Sequence, residues 1–169
     1  MKSDNNIIDL ENILFDLKVT PEKWFAVAQK LKIAALTLKK FIPNSENKIE
    51  NRYQEFMLWG FCLENLFKGI LADKRAKCGD SIVKKNKQKV NEYKGPSHNL
   101  IGLAKDIDFK LNIEEELALK FYTQAIMYFG RYPIPKNSSK QAIYWQSNFD
   151  DILLNIVARL KKQVVEIKF

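Results

Sequence analysis

The sequence predicts an all-α protein, an up-and-down bundle of about five to six helices. Three observations predict it. Apolar residues recur at steps of three and four along most of the chain, and no segment keeps the period of two that a half-buried strand needs. Six glycines and five prolines in 169 residues leave room for long helices. Helix-start signals stand where the periodic runs begin.

Taken in order, Ile7, Leu10, Leu14 and Leu17 predict a short leading helix over residues 7–17. Thr20-Pro21-Glu22 opens a stronger one, because Thr suits the N-cap and Pro the first helical position. Its predicted buried stripe is Trp24, Val27, Leu31, Ala35, Leu38 and Ile42, and Pro43-Asn44-Ser45 ends it. A second helix is predicted from about Lys48 to Ala72, with Phe56, Trp59, Leu63, Phe67 and Ile70 on its apolar face. Gly60 falls on that face. A glycine there costs up to about 1 kcal/mol against alanine, which makes sense where another helix packs very close.

Residues 73–97 read as a basic, flexible loop, with an option of partial helical extension, closing in Gly95-Pro96-Ser97. His98-Asn99-Leu100 starts a short helix carrying Leu100, Leu103, Ala104 and Ile107. Asn112-Ile113-Glu114-Glu115 has the form of a capping box and starts the next helix, with Leu117, Phe121, Ala125 and Tyr128 as its stripe and Gly130 as its end. Arg131-Tyr132-Pro133-Ile134-Pro135 is not helical, because two prolines stand two residues apart. Ser147 is the predicted cap of a last helix carrying Ile152, Ile156, Leu160, Val164 and Ile167. With no internal repeat or low-complexity tract, residues 1–169 read as one domain.

The net charge is +8 and the pI about 9.4, a balance that favours an anionic partner. Residues 73–94 hold eight Lys/Arg against three acids, a net +5 and more than half of the excess. Lys84, Lys85, Lys87 and Lys89 are either a solvated loop or a strap of phosphate contacts. Two cysteines and one histidine, with no CxxC pair, argue against a zinc site and a disulfide framework. Cys62 lies in an apolar helical run and is expected to be buried packing. Cys78, among lysines, fits a reducing cytosol. The mixed charges of the first turns do not read as a signal peptide, and the longest apolar run, Phe56 to Leu63, is far short of a membrane span. A cytoplasmic protein without metal or cofactor is expected. No glycine-rich phosphate loop and no GxSxG elbow occurs, and the acids Glu114–Glu116 sit in a first helical turn, where they offset the macrodipole.

Five residues remain as candidates for chemistry. Glu64 and Lys68, four apart, share a helix face, as a surface pair or as a polar pair at a cleft edge. His98 is the one imidazole, a structural side chain or an acid/base group. Arg131, beside Tyr132 on a proline-stiffened exit, is either an anchor for the turn or a bidentate anion binder.

The stretch Leu58-Trp59-Gly60-Phe61-Cys62-Leu63-Glu64-Asn65-Leu66-Phe67-Lys68-Gly69, followed by His98-Asn99-Leu100 with Leu103 and then Gly130-Arg131-Tyr132-Pro133-Ile134-Pro135, resembles a HEPN-like domain. More narrowly, it resembles a bacterial branch with a G-x-x-x-E-N-x-x-K helix, an H-x-L helix start and an RYP turn, over roughly residues 50–135. The resemblance implies a helical bundle that commonly dimerises. It implies a metal-independent ribonuclease or RNA-associated toxin of a defence or toxin–antitoxin system, or an inactive partner of a nucleotidyltransferase. The nuclease members carry an Arg-x4–6-His motif, and no arginine of this chain has a histidine at that spacing. Glu64, Lys68, His98, Arg131 and Tyr132 are therefore expected to form a ligand site without the usual nuclease motif. RNA or a nucleotide is its expected ligand, and a homodimer the expected assembly. Two other readings stay open: an active ribonuclease using Arg131 and His98, and a protein-interaction subunit. Arg131 is expected to lie near His98 and Glu64 in one cleft, paired with Glu64, while His98 stays free for the ligand.

Overall fold

The computed structural model describes residues 20–41, 52–77, 98–129 and 145–164. Among these the architecture is all-α: α1 (Pro21–Phe41), α2 (Tyr53–Lys77), α3 (Leu100–Asp106), α4 (Ile113–Gln124) continued by a π-helical turn (Ala125–Phe129), and α5 (Phe149–Gln163). The leading segment, Ile42, Cys78, Lys84, Lys85, Lys87, Lys89, Arg131, Tyr132 and Ile167 lie outside the described residues. No described helix is long and apolar enough to cross a membrane.

The long α2 is the spine. Phe56, Trp59, Leu63, Phe67 and Ile70 are all buried, as its periodicity predicts. The helix runs on past Ala72 to Lys77. Cys62 is buried on the same helix, and desolvation pushes its thiol up to about 12, so it is inert packing. Gly60 makes the close approach that its position implies. A Cβ there would lie 2.6 Å from Ile126 Cγ1 and 2.8 Å from the Tyr122 carbonyl oxygen, so α4 and its π turn press directly on the α2 backbone.

Helix α1 begins at Pro21 and packs along α2, only in part on the expected stripe. Of that stripe Ala35 is buried and Leu31 packs on the core, beside Phe25 and Ala28, whereas Val27 is 44% exposed and Leu38 38%. The physical reason is that apolar residues are spread widely around α1 among its polar ones, so periodicity alone does not choose a face. Small Ala28 and Ala35 let the backbones approach, and Phe25 fills the space over Gly69, where a Cβ would stand 2.7 Å from its ring.

The shorter helices are set by their caps. Asn99 accepts the Gly102 amide at 3.1 Å to start α3. Asn112 and Glu115 form the capping box of α4, accepting each other's amides at 2.8 and 3.0 Å. Glu115 is buried and also pairs with Arg159 of α5, whose guanidinium lies 4.4 Å over Phe109. The buried face of α4 is turned from the expected stripe. Ala118, Leu119, Phe121, Tyr122, Ala125 and Ile126 are buried, while Leu117 and Tyr128 are half-buried, because α4 is packed from more than one side. The cap of α5 is Asn148 rather than Ser147, without a side-chain bond, and Ile156, Leu160 and Val164 are buried as expected.

Candidate functional site

One edge of α2 carries the half-buried Phe61, Asn65 and Lys68 and the buried Glu64 within two turns. Lys68 Nζ donates to Glu64 Oε1 at 2.5 Å, the i,i+4 pair that the spacing predicts. The pair is not an ordinary surface contact, because Glu64 is only 4% exposed. A carboxylate this deep is costly unless its oxygens are hydrogen-bonded. The second oxygen, Oε2, is bonded to His98 Nδ1 at 2.9 Å, across 34 residues of chain.

His98 reaches this place because the backbone directly after it is pinned. Asn99 caps α3 immediately after it, and the Leu100 amide donates to Thr123 Oγ1 of α4 at 3.3 Å. Thr123 is itself fixed through its donation to the Leu119 carbonyl at 2.8 Å. Two rings flank the polar trio. Phe61 meets the imidazole edge-on with centroids 5.9 Å apart, and Lys68 Nζ stands 5.3 Å from the Trp24 ring centroid of α1.

This geometry fixes the chemistry. A carboxylate only accepts hydrogen bonds, so the imidazole carries a proton on Nδ1. Nε2 is then the atom left for other contacts: an acceptor when the ring is neutral, a donor when it is charged. Nε2 has no hydrogen-bond partner among the described residues, and the His98 side chain is 25% exposed. The expectation that His98 stays free for a ligand is narrowed: Nδ1 is engaged by Glu64, and Nε2 alone is without a hydrogen-bond partner among the described residues. Both Glu64 oxygens also have partners before any arginine is considered. Of the five expected residues, Glu64, Lys68 and His98 come together; Arg131 and Tyr132 lie outside the described residues.

A second charged cluster escaped the sequence reading. Arg52 donates from Nε and Nη2 to Glu55 at 2.7 and 2.9 Å, and from Nη2 to Asp150 at 2.8 Å. Lys39 of α1 also donates to Asp150, at 2.8 Å. The guanidinium carbon lies 4.6 Å from the Phe56 centroid and 5.2 Å from that of Trp145. Burial works against the Arg52 charge, but hydrogen bonds to Glu55 and Asp150 outweigh it and hold its pKa above the usual value. Burial likewise pushes Asp150 up, and bonds from Lys39 and Arg52 overcome it and hold Asp150 below the usual range. Its charges are mutually compensated, so it acts as a clasp joining α1, α2 and α5. The i,i+3 spacing of Arg52 and Glu55 was visible in the sequence; Asp150, 98 residues away, carried no local signal.

No group of three metal-ligating side chains occurs among the described residues. Compared with known proteins, the chain matches no protein-family model, no curated protein and no solved structure.

Proposed function

We propose that this chain is a HEPN-like domain that binds an anionic ligand, RNA or a nucleotide, at the edge formed by Glu64, Lys68 and His98. One observation carries the reading: a buried carboxylate holds both Lys68, which lies over the Trp24 ring, and the chain's only histidine, which meets Phe61 edge-on and whose Nε2 has no hydrogen-bond partner among the described residues. Glu64 sets the imidazole and offsets Lys68. Trp24 and Phe61, both half-buried, offer faces on which bases stack. The net charge of +8 draws a polyanion to the surface. Arg131 and Tyr132 complete the ligand set in this reading, by phosphate contact and stacking.

The test is binding of labelled single-stranded RNA and of ATP to the full chain and to Arg131→Ala. Binding that is lost in the variant, with an unchanged melting temperature, supports the reading. A melting temperature lowered by many degrees, with no ligand bound by the parent chain, makes Arg131 a structural anchor.

A second reading, a ribonuclease using Arg131 and His98, draws on the same Glu64–His98 bond, which leaves Nε2 as a general base. RNA cleavage in the presence of a chelator, lost in His98→Ala, distinguishes it from binding alone.

A further inference from the structure

Asn65 stands at the middle of α2, directly after Glu64, where helix stability does not favour it. Asparagine is a poor helix former because its amide competes for backbone hydrogen bonds. Here it does so: Nδ2 donates to the Phe61 carbonyl, one turn back, at 2.7 Å. That bond fixes which end of the amide points where, since a carbonyl only accepts and the nitrogen must face it. Oδ1 is thereby turned away from the Phe61 carbonyl. It has no hydrogen-bond partner among the described residues and is open to solvent. Local rules of helix stability are broken most often where a site needs the residue.

Helix geometry places this oxygen on the edge already described. Asn65 lies about 4.5 Å along the axis from Lys68 and about 6 Å from Phe61, within about 60° of both around the helix. Phe61 meets His98, which leads into α3. Gly69, one turn beyond Asn65, is covered by Phe25 of α1, and Lys68 reaches the Trp24 ring of the same helix. Asn65 therefore stands between α1 and the start of α3.

The edge divides its chemistry. Lys68 only donates, and both Glu64 oxygens are taken by Lys68 and His98. Asn65 Oδ1 is the side-chain oxygen left to accept. A phosphate group brings acceptor oxygens and meets the donors. An amide oxygen needs a hydroxyl or an amine.

We propose that Asn65 makes this edge selective for ribonucleotides: Oδ1 accepts the 2′-hydroxyl of the sugar whose phosphate meets Lys68 or His98. The hydroxyl is favoured over a base amine because the sugar is bonded to the phosphate itself. The base lies beyond the sugar and finds ring faces at Trp24 and Phe61. The amide N–H that Phe61 does not take donates back to the same hydroxyl, which both donates and accepts. The inference rests on the reading of this edge as a site for RNA or a nucleotide.

The test is the affinity of the full chain for three labelled single strands of one adenine-and-cytosine sequence: RNA, DNA and 2′-O-methyl RNA. ATP and 2′-deoxy-ATP form the mononucleotide pair. The forms with a free 2′-hydroxyl should bind tighter by about fivefold or more, the worth of one hydrogen bond. In Asn65→Ala the preference should disappear while DNA affinity is kept. Its melting temperature should equal or exceed that of the parent chain, because alanine is the better helix former. Equal affinity of the parent chain for RNA and DNA, and for ATP and 2′-deoxy-ATP, overturns the proposal and leaves an anion site that does not sense the sugar. So does 2′-O-methyl RNA bound as tightly as RNA, or a preference that persists in Asn65→Ala. No binding of any strand or nucleotide overturns the reading of the edge itself, and this inference with it.

Discussion

Two buried carboxylates at different places on α2 make an instructive comparison. Glu55, near the start of the helix, meets a guanidinium that also binds Asp150 and is flanked by Phe56 and Trp145. Glu64, nine residues on, meets a lysine and an imidazole, whose side chains are 27% and 25% exposed. The first cluster joins three helices and pairs each of its charges with an opposite one, with Lys39 half-exposed at its rim. The second is held as firmly at its carboxylate, yet its imidazole Nε2 has no hydrogen-bond partner among the described residues. Burial of an acid is therefore no sign of function by itself. What separates the candidate site from the clasp is an imidazole nitrogen, a group suited to acid/base or donor roles, left without a partner there.

The largest effect should come from opening the clasp. Arg52→Ala leaves Glu55 and Asp150 without their main partner, and removal of one member of a buried pair costs about 3–5 kcal/mol. Thermal denaturation should show a fall of roughly 10 °C or more for a chain of this size. A change of only a degree or two would show that the clasp is solvated and replaceable.

Next in size is the helix crossing. Gly60→Ala puts a methyl group 2.6 Å from Ile126 Cγ1 and 2.8 Å from a backbone oxygen that cannot swing away. Overpacking of this kind costs about 1–3 kcal/mol. Denaturant unfolding should show a lower midpoint with the slope unchanged. An unaltered midpoint would mean that the π turn yields freely.

The pH dependence of stability sharpens the contrast further. Asp150 is held below its usual range, so its folded state binds a proton less readily than the unfolded chain. Its contribution is fully present above the ordinary aspartate value of about 4, and is lost as the pH falls through the lower folded value. Asp150→Asn should therefore lose stability at neutral pH and show a shallower acid limb than the parent chain. Parallel limbs in the two proteins would remove Asp150 from the account.

The smallest effect on stability belongs to the Glu64 edge. His98→Gln removes one hydrogen bond to a carboxylate that keeps its lysine, worth about 1.5–3 kcal/mol at most and less for a part-exposed ring. A thermal shift well below that of Arg52→Ala is expected; an equal one would make the two clusters alike.

How far the sequence revealed all this depends on the reach of each signal. The buried face of α2, the capping box at Asn112 and the Asn99 start of α3 were legible, because periodicity and caps are local. The face of α1 was legible only in part, at Leu31 and Ala35, since its apolar residues are spread among polar ones around the helix and give no single direction. Glu64 and Lys68 were visible as an i,i+4 pair, but the burial of Glu64 follows from helix packing and from His98, 34 residues away. Asp150 on Arg52 and Arg159 on Glu115 are equally long-range, and no spacing rule marks them.

The central claim is that the Glu64–Lys68–His98 edge is a ligand site rather than a second clasp. The most direct measurement is the affinity of the full chain for a labelled single-stranded RNA, alongside His98→Gln and Lys68→Gln, across salt concentration. The account predicts binding that weakens steeply with salt. Each substitution should weaken it by about tenfold or more, the equivalent of one charge-assisted bond, with a loss of melting temperature well below that of Arg52→Ala. Replacing Lys84, Lys85, Lys87 and Lys89 with Gln should weaken it alike for every RNA sequence. Undiminished affinity in both His98→Gln and Lys68→Gln, with the same salt dependence as the parent chain, would contradict the claim.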